Sequence, residues 1–160
     1  MDSPGLTALV ATVALLAPAW AGASASAGGH GDDACTLLTS AQVSSVLGVR
    51  VQAGQHVVPD ARSSCGWAAA GDPSLGSRRL VLTLMSGRAF ESAKTPVRGA
   101  SKHLASGVGD DAYYITTPPF GTALSVRKGE NCFQVRISGF PDAQAAHLEK
   151  AVAQKLLGRG

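Results

Sequence analysis

Two adjacent carboxylates, Asp110 and Asp111, follow the glycines Gly107 and Gly109. Carboxylates gathered on a turn can hold a cation such as Ca²⁺, which wants several oxygen ligands. Two are too few for that. Aspartates in a glycine-rich turn also accept backbone N–H bonds where a strand begins, and that role is expected here. Just downstream stand Tyr113, Tyr114, Pro118, Pro119 and Phe120, a concentration of aromatic and proline side chains. Such a group either covers a sheet edge or makes a binding surface, because aromatic side chains give contact area at low entropic cost. Arg127, Gln134 and Arg136 alternate with apolar neighbours further along and would flank that surface with donors. The candidate binding residues are therefore Tyr113, Tyr114, Phe120, Arg127, Gln134 and Arg136. Their chemistry suits an anionic or polar partner.

Catalytic motifs are absent from the sequence. It has no Gly-x-Ser-x-Gly elbow, no His-Glu-x-x-His pair, no Cys-x-x-Cys and no phosphate-cradling Gly-x-x-x-x-Gly-Lys. His56, His103 and His147 fall on separate predicted elements. A triad can be drawn from His103 with Asp110 or Asp111, but serine is too common here to single out a nucleophile. No catalytic residue is assigned, and no cofactor is implied. His30 has one conditional role. If an exported chain were trimmed to begin at Gly28, Gly28-Gly29-His30 would offer an amine, two amides and an imidazole to Cu(II) or Ni(II).

These side chains need a scaffold. From Gly107 the chain reads as three antiparallel strands, the last two joined by the turn at Lys128-Gly-Glu-Asn. Leu124, Val126, Phe133, Val135 and Ile137 alternate with Ser125, Arg127, Gln134 and Arg136, so one face is core and the other open. Upstream, Thr39 and Gln42 form a capping box, Leu38 and Val43 a hydrophobic staple, and Gly48 a helix stop. Residues 49–58, a segment from Cys65, and a segment from Arg79 read as strands. A short helix near Phe90 ends before Pro96, residues 96–106 read as a loop or frayed helix, and Gly71 begins a turn. A final helix, capped by Asp142, carries the stripe Ala145, Leu148, Val152 and Leu156 and ends at Gly158. The order α-β-β-β-α-β-β-β-α predicts an α+β fold, an antiparallel sheet with helices packed on one face.

The 160 residues suffice for a single core. Residues 1–27 read as a signal peptide, apolar from Leu6 to Trp20 and then small, although Asp2 stands where a positive charge is usual. The apolar run is short of the roughly 20 residues a membrane helix needs, so no stable membrane span is expected after cleavage. Residues 28–34 read as a flexible linker and 35–160 as one stapled domain, secreted or held in the periplasm or cell envelope. In an oxidising compartment two of the three cysteines are expected to pair. Cys35 and Cys65 are the preferred pair, since the helix start and the second strand can meet. Cys132 is then a buried thiol, with an intermolecular bridge or a Cys65–Cys132 pairing as alternatives. The net charge of +3 is spread along the chain, with none of the clustered basic residues that nucleic-acid binding needs.

Cys35-x-Leu-Leu-Thr, Leu47-Gly48, Cys65-x-Trp67 and Gly107-x-Gly109-Asp110-x-Ala112-Tyr113 occur in an order that resembles small exported bacterial domains of unknown function. These are secreted or lipoprotein-type domains of actinobacteria. The resemblance implies a stapled α+β domain outside the cytoplasm and no catalytic residues. This chain lacks the lipid-accepting cysteine of the lipoprotein members. The resulting expectation is an exported, non-catalytic binding or interaction domain, with an unknown protein or small polar ligand as partner. The alternatives are a secreted enzyme inhibitor, inserting residues 59–64 or 116–121 into a cleft, and a small hydrolase.

Overall fold

A computed structural model of the chain describes residues 33–71 and 78–158. The expected signal peptide, His30 and most of the turn after Gly71 lie outside the described residues. A 3-10 turn, Ala34–Thr36, precedes α1 (Ser40–Leu47). Then follow β1 (Gln55–His56), β2 (Ser64–Ala68), β3 (Arg79–Met85), α2 (Gly87–Ala93), β4 (Ser101–Leu104), β5 (Asp111–Thr116), β6 (Thr122–Lys128), β7 (Asn131–Ser138) and α3 (Asp142–Leu157). This is the α+β order expected, with β4 as an added edge strand.

The strands form one seven-stranded antiparallel sheet in the order β1-β2-β3-β7-β6-β5-β4. β7 is central and pairs along its length with β3, from Met85–Cys132 to Arg79–Ser138. Its odd-numbered residues turn to one face, where Phe133, Val135 and Ile137 join Leu80, Leu82, Leu124 and Val126 in the main core. α1 and α3 cover that face through Val43, Leu47, Ala145, Val152 and Ala153. Each fully buried aliphatic side chain contributes about 1.5–3 kcal/mol.

α2 departs from the one-face expectation. Phe90 is buried against Tyr113 and Cys132, on the opposite face of the sheet. Ser125 and Ala123 are therefore buried too, and β6 is covered on both sides. The sequence hides this because α2 is short and anchors through one aromatic residue, without a full apolar stripe.

The capping box is present. Thr39 Oγ1 accepts from Gln42 N at 3.2 Å, and Gln42 Oε1 accepts from Thr39 N at 2.9 Å. α1 ends at Gly48 with φ 68°. Cys35 and Cys65 form the disulfide, with Cα atoms 5.0 Å apart. Trp67 packs beside it. A Cβ on Gly54 would come within 2.8 Å of both the Trp67 ring and the Cys65 sulfur.

Four local expectations change. The strand over residues 49–58 shrinks to β1, because Val51 N donates to Ser44 Oγ on α1 and Val51 keeps only an isolated bridge to Ala69. Residues 96–106 contain β4, whose four side chains are all exposed and so carry no burial alternation. Asp142 is the first residue of α3 and makes no side-chain cap; its charge still favours the positive helix end. Ala34, read as linker, is buried, and its N–H donates to Arg62 O at 2.8 Å.

Candidate functional site

The outer face of the sheet is organised by α2. Ser86 Oγ caps it by accepting from Ala89 N at 3.1 Å. Phe90 packs on Tyr113 with ring centroids 5.1 Å apart, and Tyr113 Oη donates to Phe90 O at 2.8 Å. Four charges then lock the helix to β5 and β6. Lys94 Nζ donates to Asp111 Oδ2 at 2.7 Å, and Arg127 Nη2 donates to the same oxygen at 3.1 Å. Both cations also reach Glu91. They lie over the Phe90 ring, at 5.0 and 5.3 Å. The bond to Asp111, with a second to Glu91, raises the Lys94 pKa.

Beside this lock lies an open groove of about 470 Å³. Ala89, Ala93, Pro96 and Val97 form one wall, Ile115 contributes the other, and Gln134 and Arg136 come up from β7. Gln134 Nε2 donates to Ser125 Oγ at 3.1 Å. No described carboxylate lies within ion-pair distance of Arg136, whereas the nearby Arg127 is neutralised.

The six expected binding residues are thus divided. Gln134 and Arg136 are together in the groove. Arg127 belongs to the charge lock, not to an open surface. Tyr113 is buried, its hydroxyl pushed to higher pKa by burial. Tyr114 points to the other face and donates from Oη to Ala146 O on α3 at 3.0 Å. Consecutive strand residues must diverge in this way. Phe120 projects from the β5–β6 loop, 68% exposed.

Asp110 and Asp111 do not converge on a shared point. Asp110 accepts from Lys128 Nζ at 2.7 Å and from Gly129 N at 2.8 Å, joining the β5 start to the β6–β7 turn. These bonds, the lysine's first, lower its pKa. Gly109 permits the approach: at φ 64° a Cβ would lie 2.5 Å from Arg127 O. Both carboxylates are taken by cations and neither bonds to His103, whose hydrogen-bonded neighbour is Ser101 at 3.4 Å. The drawn triad is not assembled.

A smaller cavity of about 220 Å³ opens between Gln52, His56, Gly66 and Arg79 at the β1 end. At its rim His56 Nε2 lies 2.8 Å from Asp33 Oδ1, and the His56 bond is the main cause of the lowered Asp33 pKa. The sulfur of Cys35 is close to both. It belongs to the disulfide and is no thiolate, which leaves two ligands, too few for a structural zinc site.

The sequence reading also missed Glu149. It is fully buried on α3, where Oε2 accepts from Thr122 Oγ1 at 3.1 Å and Oε1 from Ile137 N at 3.0 Å. The β6–β7 ladder ends at Leu124–Val135, and the carboxylate takes up the next N–H of β7. Burial pushes its pKa up to about 7. The signal was legible, since Glu149 stands four residues after Ala145 and three before Val152, on the buried stripe.

Comparison with protein-family models, with curated proteins and with solved structures finds no match. Function rests on the site itself.

Proposed function

We propose that this chain is an exported, non-catalytic binding domain of the actinobacterial secreted type, and that it takes its ligand in the groove between α2 and the outer face of β5 and β7. One observation carries the site assignment. Among the described residues Arg136 has no carboxylate within ion-pair distance, and it lies in a groove with mostly apolar walls, while Lys94 and Arg127 on the same face are neutralised. A cation held on a central strand beside exposed apolar surface is suited to ligand capture. The disulfide supports export, because such bonds persist in oxidising compartments.

The test is an NMR titration of the ¹⁵N-labelled protein with fractions of the host's extracytoplasmic contents. At least one fraction is expected to shift amides of residues 89–97, Ile115 and the Gln134 side chain. The same shifts should disappear in Arg136→Ala. Shifts confined to the β1-end cavity, or turnover of ester, peptide or phosphate reporters, would replace this reading.

A second reading, a secreted enzyme inhibitor, draws on Phe120 at the loop tip. A protruding aromatic side chain suits insertion into a cleft. For an inhibitor, Phe120→Ala should abolish partner capture and Arg136→Ala should leave it intact.

A further inference from the structure

The groove's two kinds of surface narrow the class of its occupant. Its walls are mostly methyl and ring carbons, from Ala89 and Ala93 one turn apart on α2, Pro96 and Val97 after it, and Ile115 opposite, with Ser92 and Thr95 adding hydroxyls on the α2 side. Val97 is 70% exposed and rises at the rim. The charged group and the side-chain amide sit on β7. Gln134 uses its amide nitrogen on Ser125, leaving its amide oxygen without a protein hydrogen-bond partner among the described residues. Arg136 offers a planar fork of N–H donors that matches a carboxylate in shape and charge.

From this juxtaposition we infer that the groove binds the carboxyl-terminal end of an extended apolar peptide, its free carboxylate on Arg136 and a backbone N–H on the Gln134 amide oxygen. The inference rests on the groove being the ligand site, and adds what the ligand is. Charge complementarity selects an anion. The apolar walls select one that carries apolar side chains, since a small inorganic ion would leave them wet. Phosphate-bearing partners are read by clusters of arginines, and among the described residues Arg136 is the one arginine that lines the groove. The open shape argues against a fatty acid, whose chain would stay half in water. A peptide instead buries alternate side chains against Ile115 and Val97 and satisfies its backbone on Gln134. The volume of about 470 Å³ lies within the span of small-ligand sites, so a few residues fill it.

The test uses fluorescein-labelled pentapeptides with Ala, Val or Ile at the last three positions, each as free acid and as carboxamide, read by fluorescence anisotropy. The free acids should bind saturably. The amides should bind about tenfold more weakly or worse, as loss of a charge-assisted bond implies. Arg136→Gln should reduce free-acid binding to the amide level, Arg136→Lys should recover part of it, and Arg79→Gln should leave it unchanged. The acid-against-amide comparison needs no variant, so it holds even if Arg136→Gln folds poorly. Equal binding of acid and amide, displacement by phosphate at equal potency, or preference for laurate over the peptides would each overturn the inference. So would absence of peptide binding. If extract fractions still shift the groove amides in that event, the ligand class fails and the site stands; if they do not, the site fails with it.

Discussion

Arg127 and Arg136 occupy adjacent strands on the same face, yet only one is available for binding. The difference lies in neighbours. Arg127 is opposite Cys132 and beside Asp111, whose carboxylate it meets, and Glu91 on α2 closes the set. Arg136 is opposite Val81, with no described carboxylate within ion-pair distance. Sequence periodicity gives the face of each arginine but not which carboxylate a distant helix brings over it. Glu149 shows the reverse case, a residue whose burial periodicity does indicate. Its carboxyl is moved from 4.5 to about 7, mainly by desolvation and against the pull of its bonds to Ile137 and Thr122. Arg136 lowers it slightly and Asp142 raises it. A folded pKa above the unfolded one means the protonated form favours folding. That stability is complete below about pH 4.5 and is lost as pH rises through about 7. Between pH 5 and pH 8 the loss should be about 2–3 kcal/mol. Glu149→Gln keeps an acceptor for Ile137 N–H and removes the titration. Urea unfolding across this range should fall for the wild type and stay flat for the variant. Parallel curves would show that Glu149 is ionised at no cost.

At the scale of elements, two devices hold the amino-terminal third, and their magnitudes differ. The capping box orders α1, and Thr39→Ala should cost about 1 kcal/mol. The disulfide closes a separation of 30 residues and ties the 3-10 turn to β2; its loss should cost about 3–4 kcal/mol by chain entropy. Cys35→Ser with Cys65→Ser should therefore lower the urea midpoint several times more than Thr39→Ala. A double variant as stable as Thr39→Ala would show that the core alone holds α1. Cys132 gives a control: it is buried, with its thiol pKa raised, and should resist alkylation until unfolding. The elements most legible in the sequence were those with strong local periodicity or capping, namely α1, β3, β6, β7 and α3. β4 was illegible because a strand with four exposed side chains shows no alternation. β1 was overread because Val49 and Val51 alternate like a strand, while Val51 spends its N–H on Ser44 of α1. Half of the groove was also out of reach. Gln134 and Arg136 were visible on an open face, but their apolar wall depends on α2 crossing to that face, which the packing of Phe90 against Tyr113 and Cys132 decides.

At the scale of the whole molecule, stability is distributed from the sheet centre outward, and this sets where the protein can afford to move. β7 pairs on both sides and is sandwiched between α3 and, at its Cys132 end, α2. β4 and β1 are the sheet edges, four and two residues long, with exposed side chains. Lys102 and His103 on β4 make that edge a poor template for another strand, which limits edge-to-edge pairing. Opening free energies should therefore rise toward the centre, because few buried contacts resist opening at the margins. In native-state hydrogen exchange, amides of Leu82, Phe133 and Val135 should exchange by global unfolding, while those of β4 exchange by local fraying and respond weakly to denaturant. The groove straddles this gradient. Gln134 and Arg136 rise from the rigid centre, whereas Pro96 and Val97 belong to the exposed segment leading from α2 to β4. A ligand would find fixed polar groups and an adjustable apolar wall, so binding should slow exchange at Val97 and leave Val135 unchanged. Equal protection of β4 and β7 in the free protein would mean that the sheet opens as one unit, and the wall would then have no independent freedom to close.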